Sequence, residues 1–260
     1  MADLRVGLLG GGHINGVLRR AVQESRPYRV VGSYGRNDAL PGSGEMDVIV
    51  EAATQRAVRE RMPGLLDAGV DVILLSVGAL ADPVVRANML HRMPGRGLLI
   101  PCTGAIGGLD QVRALRTAGP LDSVSLESRK LPATLIQPWM PDDLQAALRA
   151  GDTEIVLADG PAGEVAQRFP ASANVAAAVA LAADAWDIAT ARIVADPAAG
   201  QTRHEIRAVG DLGEVRTVVT NAPSAERPRS SAVVAWAALR ALDDYARLRG
   251  FPDADGVTFL

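Results

Sequence analysis

The sequence predicts an α/β chain in two parts: a doubly wound parallel sheet, then an α+β segment with a mixed or antiparallel sheet. Three observations predict it. Up to about residue 107, short strands that are apolar on both faces alternate with helices, the pattern of a parallel sheet covered on both sides. The first strand runs into a run of glycines, Gly10 to Gly12, that opens a helix. Beyond Gly108 the strands change to period-two alternation, which marks a sheet with one wetter face.

Each element has its own justification. "LRVGLLG" (4–10) is an apolar run ending in glycine, and an amphipathic helix is expected from about Val17 to Glu24. "YRVVGSYG" (28–35) and "MDVIVEAA" (46–53) are the second and third strands. A helix follows over "QRAVRERMPGLLDAG" (55–69), where Pro63 should kink or shift it. "VDVILLSVG" (70–78) and "RGLLIPCTG" (96–104) are further strands, with a helix between them opening near Asp82-Pro83. In the second part, "DSVSLESRKL" (122–131) and "TARIVADP" (190–197) alternate as strands, and "TRHEIRAVGDLGEVRTVVT" (202–220) is a hairpin turning at Asp211-Leu212-Gly213. Helices are expected over "MPDDLQAALRAG" (140–151) and "NVAAAVALAADAW" (174–186). A long closing helix, "SSAVVAWAALRALDDYARLRG" (230–250), stops at a glycine.

Composition narrows the function. A net charge of −3 gives no electrostatic case for nucleic acid, and 3% aromatic residues supply few stacking platforms. The longest apolar run, "ANVAAAVALAADAW", is too short to span a bilayer, so no membrane role is expected. The single cysteine, Cys102, excludes an intrachain disulfide and a cysteine-based zinc cluster, and it fits a reducing cytoplasm. The first strand begins at once, so no signal peptide is expected. Of 27 basic residues only Lys130 is lysine. It is either a surface survivor of a bias toward arginine or a place that wants a compact point charge.

The glycine turn carries the first chemistry. "VGLLGGGHINGVL" (6–18) contains the start of a G-x-G-x-x-G fingerprint as Gly10 and Gly12, but its third glycine is Asn15, with Gly16 one place late. The first two glycines serve the tight turn and the approach of backbone N–H groups to a pyrophosphate; the third only eases helix–strand packing. A turn of this kind, after a strand and before a helix, fits a nicotinamide dinucleotide, its phosphates resting on the N–H groups around Gly10, Gly12, His13 and Ile14. The second strand ends with Gly35 where an NAD site usually carries an acid, and Arg36 comes next. Arginine there suits the 2′-phosphate of NADP, while Asn37 and Asp38 leave NAD open.

Two later segments carry a resemblance. "TGAIGGLD" (103–110), together with "FPASANVAAAVAL" (169–181) and "VADPAAGQTRHEI" (194–206), resembles the L-aspartate dehydrogenase family, which deaminates aspartate oxidatively with NAD or NADP. The likeness extends to "PSAERPRSSAVVAWAALRAL" (223–242). It implies that Ala105 and Asn174 touch the cofactor and that His204 is the catalytic histidine. It also implies a homodimer, a link to pyridine nucleotide biosynthesis, and a C-terminal helix that returns to the dinucleotide-binding domain. Domain bounds of 1–107 plus about 225–260, and of 108–224, follow. The chain departs from the family at Thr202, where asparagine is usual two places before the histidine.

Oxidation at an amino acid's Cα needs a base for the ammonium proton, then a base and an acid for imine hydrolysis, and one imidazole can serve in turn. His13 lies in the glycine turn and His91 on a helix away from strand ends; His204 shares an apolar strand face with Ile206 and Ala208. Such a histidine is more often a core residue, and the resemblance is what selects it as catalytic. Two substrate carboxylates need cations or donors: Lys130 first, then Arg129, Arg229, Ser230 and Ser231, although Ser230 also suits a helix cap. Asp196-Pro197 suits a turn better than a role in orienting His204, and Glu51 reads as a buried or loop-facing acid. Two other functions stay open: an acylating semialdehyde-type dehydrogenase with Cys102 as nucleophile, and a non-catalytic nicotinamide-binding protein.

Overall fold

The computed structural model describes residues 3–25, 28–91, 93–170, 173–224, 231–251 and 257–258. The chain divides into two compact units, Met1–Gly104 with Val234–Leu260, and Ala105–Val233.

The first unit is a five-stranded parallel sheet. Its strands are β1 (Leu4–Leu9), β2 (Tyr28–Tyr34), β3 (Val48–Glu51), β4 (Asp71–Leu74) and β5 (Leu99–Pro101), in the order β2-β1-β3-β4-β5. Order reversal at β1 and β3 makes the sheet doubly wound, and in such sheets ligands bind beyond the carboxyl ends of the strands at that switch point. Leu4, Val6 and Leu8 of β1 and Val48 and Val50 of β3 pack with Leu18 and Val22 of helix α1 (His13–Ser25). Ala238, Leu239, Leu242, Tyr245 and Ala246 of the last helix, α8 (Val233–Leu248), complete this core. Helices α2 (Gln55–Asp67) and α3 (Pro83–Leu90) follow β3 and β4.

Polar bonds tie α8 to the sheet. Tyr28 Oη donates to Asp243 at 2.5 Å, and Tyr245 Oη donates to Asp71 at 2.8 Å. Asp71, 2% exposed at the start of β4, also accepts from the Leu98 N–H and from Arg249.

The second unit holds α4 (Leu109–Ala118), β6 (Leu121–Lys130), α5 (Asp142–Ala150), β7 (Ile155–Pro161), α6 (Ala162–Arg168), α7 (Asn174–Ala183), β8 (Ala189–Ala195), β9 (Thr202–Gly210) and β10 (Gly213–Asn221). The sheet order is β10-β9-β6-β8-β7, with β6 and β8 parallel and the other pairs antiparallel. One face is apolar, with Val124, Leu126, Ala191, Ile193, Ile206 and Ala208 buried. The other carries ion pairs: Arg129 with Glu127, Glu154 and Asp196, and Glu205 with Arg203 and Arg216.

Several expectations are adjusted. Helix α1 starts at His13, not Val17, because the Gly16 N–H already bonds the Gly12 carbonyl at 3.2 Å and continues the helical ladder upstream. Pro63 lies inside α2 without ending it, and the burial of Met62, Leu65 and Leu66 holds the last turn down. The apolar run at 70–78 yields strand only to Leu74; Val77–Ala81 is a buried 3-10 turn. Strand β7 escaped the sequence pattern because it ends in Asp159-Gly160-Pro161, breakers that a strand at the sheet edge tolerates. The hairpin turns at Asp211-Leu212 as its sequence indicates, with Gly213 at φ +132°. Asp82 caps α3, accepting from the N–H groups of Val84 and Val85.

Candidate active site

The glycine turn is built for close backbone approach. Gly10 has φ +114°, and a Cβ there would lie 2.6 Å from the Ala52 carbonyl oxygen, so only glycine fits. Around Gly11 a Cβ would meet nothing, which leaves the tip of the turn open to a ligand. His13 begins α1 directly after the glycines, and Ile14 packs partly against the core, so its contribution to an anion is its backbone N–H.

Asn15 explains the broken fingerprint. Its Nδ2 donates to the carbonyls of Leu9 and Gly10, both at 2.8 Å, and the residue is 1% exposed. The side chain thus binds the end of β1 to the first turn of α1, supplying by hydrogen bonds the contact that a third glycine supplies by closeness. Its Oδ1 is buried and has no hydrogen-bond partner among the described residues. The glycines, the open tip and the helix start fit a dinucleotide pyrophosphate.

Two neighbouring loops are fixed by carboxylates. Glu51, fully buried at the end of β3, accepts from the N–H groups of Ala53 and Ser76 at 2.9 Å and from the Ser76 hydroxyl at 3.0 Å; burial raises its pKa despite these bonds. It joins the loop after β3 to the loop after β4. Past β2, the Asp38 carboxylate accepts the Gly35 N–H at 2.7 Å and Arg61 donates to the Gly35 carbonyl at 2.7 Å. Arg36 rides exposed on this fixed turn.

In the second unit the sheet brings His204, Ser128 and Lys130 together. His204 lies on β9 directly opposite Ser128 on β6, and the Ser128 Oγ is 2.8 Å from His204 Nδ1. Lys130 is two residues beyond Ser128, hence on the same face, and all three side chains are buried, with His204 only 1% exposed. Burial holds the His204 pKa down to about 3, and the positive charge of Lys130 pushes the same way. Burial also lowers Lys130, to about 8. The imidazole is therefore neutral at physiological pH, a base in waiting beside a cation.

Other residues fall as follows. The Ala105 carbonyl accepts the Asn221 amide at 2.8 Å, and Asn174 is the first residue of α7. Arg129 points to the opposite sheet face, where three carboxylates engage it, so it is not a substrate cation; alternation along β6 separates it from Lys130. Asp196 makes the expected turn, accepting the Ala198 N–H, rather than touching His204. Ser231 is buried and bridges backbone to Pro223, while Arg229 and Ser230 lie outside the described residues. His91 follows α3 in an exposed position. Cys102 is buried in the first core and burial raises its thiol pKa, opposite to what a nucleophile needs. Sequence reasoning missed Ser128 and Asn221. Ser128 could have been found, since the alternation that groups His204 with Ile206 also puts Ser128 beside Lys130 on the inward face of β6.

Comparison with known proteins places the family and the fold. Residues 110–245 match the family model "Aspartate dehydrogenase, C-terminal", and residues 13–97 match "Homoserine dehydrogenase, NAD binding domain". L-aspartate dehydrogenase of Methanosarcina barkeri is 33% identical, covering 92% of this chain and 96% of its own. L-aspartate dehydrogenase 2 of Bordetella pertussis is 38% identical over 82% of this chain and 80% of its own. The crystal structure of aspartate dehydrogenase from Thermotoga maritima shares the fold, with a TM-score of 0.73 at 20% identity, covering 99% of this chain and 100% of that one. The doubly wound sheet and the histidine-bearing mixed sheet are thus those of a nicotinamide-dependent oxidoreductase. The chain belongs to the L-aspartate dehydrogenase family.

Proposed function

We propose that the chain oxidises L-aspartate at Cα with NAD(P), giving iminoaspartate and then oxaloacetate and ammonia, reversibly, and that His204 is its proton carrier. The observation that carries this reading is a neutral, buried imidazole held at Nδ1 by Ser128 beside Lys130, in a chain of this family. A nicotinamide dinucleotide held at the glycine turn would supply the acceptor for the Cα hydride. The residues of the chain do the rest. Nε2 of His204 takes the α-ammonium proton, so that the nitrogen lone pair assists hydride departure. Once that proton has passed to solvent, Nε2 takes a proton from the water that attacks the imine carbon and returns it to the nitrogen as the C–N bond breaks and ammonia leaves. Lys130 receives a substrate carboxylate; burial is the main cause that keeps His204 deprotonated, and the carboxylate's negative charge offsets the smaller part that comes from Lys130, so substrate binding makes the base stronger. Ser231 and Ser230 are further donors of this proposal.

The turn at Gly10, Gly12, His13 and Ile14 would hold the pyrophosphate, and the family likeness makes Ala105 and Asn174 further cofactor-binding residues. Arg36 favours NADP: the one acid on its turn, Asp38, is already engaged by Gly35. We further infer a homodimer in a reducing cytoplasm, serving pyridine nucleotide biosynthesis. No helix among the described residues is long and apolar enough to cross a membrane.

The test is a panel of amino acids assayed with NAD and NADP separately by absorbance of the reduced nicotinamide, with oxaloacetate plus ammonia run in reverse. Turnover of aspartate above that of glutamate, alanine and asparagine is expected. Absence of aspartate turnover in both directions would overturn the reading.

A further inference from the structure

We propose that Ser128 is a positioning residue for this reaction, fixing the proton of His204 on Nδ1 so that Nε2 presents its lone pair to the substrate. This rests on the assignment of His204 as proton carrier and deepens it. The pair is set by the fold: Ser128 and His204 are direct cross-strand neighbours on β6 and β9, at 3% and 1% exposure, with Oγ and Nδ1 2.8 Å apart.

The choice of a hydroxyl matters. A carboxylate facing Nδ1 would orient the ring too, but it would stabilise the imidazolium and hold the captured proton. A serine hydroxyl both donates and accepts. It accepts the Nδ1–H of the neutral ring, and it still accepts that hydrogen once Nε2 has taken the substrate's proton. The bond therefore survives the whole cycle, while the cationic state gains no counter-ion. Before substrate binds, Lys130 on the same face opposes that cation further. An imidazole that must take a proton and then return it is better served by this arrangement than by one that traps the charge.

Ser128→Ala, Ser128→Thr and His204→Ala are compared with the parent enzyme. In Ser128→Ala, kcat is expected to fall roughly tenfold or more, with KM for aspartate and for the nucleotide unchanged within about twofold. Ser128→Thr keeps the hydroxyl and is expected to recover most of that loss. Nitrogen-15 spectra of histidine-labelled parent protein should show His204 protonated at Nδ1, and in Ser128→Ala a mixture of both tautomers. Parent protein protonated at Nε2 overturns the proposal, as does a Ser128→Ala enzyme with full kcat. So does a folded Ser128→Thr no faster than Ser128→Ala. Should Ser128→Ala fail to fold, the parent spectrum and Ser128→Thr decide. Full activity in His204→Ala would instead defeat the role of the histidine, whereas the tautomer spectrum would still report whether Ser128 holds the ring.

Discussion

At the scale of single residues, the second unit stores a buried lysine that folding does not favour. Lys130 is depressed to about 8, so the fold prefers its neutral form. The resulting penalty is fully present below about pH 8 and fades as pH rises toward 10.5, where the unfolded chain also loses the proton. Lys130→Met is thus expected to raise Tm at neutral pH, by roughly 2–4 °C per kcal/mol gained, with the advantage shrinking above pH 8. The same variant should raise KM for aspartate and move the acid limb of the pH–rate profile upward, because a depressing charge on His204 is gone. Calorimetry across pH and initial rates check both halves. His204→Ala should reduce turnover by about 10²-fold or more while nucleotide binding, followed by fluorescence, stays nearly intact. The histidine's inward direction was legible from alternation along β9. The inward face of Ser128 was open to the same reading along β6, but its pairing was not, since only the register of β6 against β9 brings Oγ to Nδ1.

At the scale of elements, β-strand positions were easier to read than helix ends. Doubly apolar strands in the first unit and alternating ones in the second announce themselves, whereas β7 hides behind its edge-strand breakers and α1 begins among glycines of low helix propensity. Helix α8 shows a different limit. Its apolar stripe says that it packs, but nothing local says where; the answer lies in Tyr28–Asp243 and Tyr245–Asp71, bonds between residues 215 and 174 positions apart. Tyr245→Phe removes one donor from a carboxylate that is 2% exposed and should lower stability by about 1–2 kcal/mol, measured by denaturant unfolding. An unchanged midpoint would show that Leu98 and Arg249 suffice for Asp71.

At the scale of the whole molecule, nucleotide binding and folding are linked by mass action. A ligand at 100 times its Kd adds about 2.7 kcal/mol of apparent stability. If Arg36 receives a 2′-phosphate, NADP should raise Tm well above an equal concentration of NAD, and Arg36→Ala should bring the two together. Equal shifts in the parent protein would remove Arg36 from the site. Cofactor class was visible in the order strand, glycine turn, helix. The choice between the two nucleotides was not, and the engagement of Asp38 with the Gly35 N–H, on which the proposed preference leans, shows in no linear pattern.

The tether at Asn15 bears on how such enzymes are recognised and re-engineered. A motif scan marks position 15 as a defect, and a consensus-minded designer would write glycine there. In this chain that edit would remove the amide that ties the glycine turn to the strand beneath it, taking the side-chain donor from the Gly10 carbonyl and leaving the Leu9 carbonyl to the Ala52 N–H. What looks like a spelling error is a second way of closing the same joint.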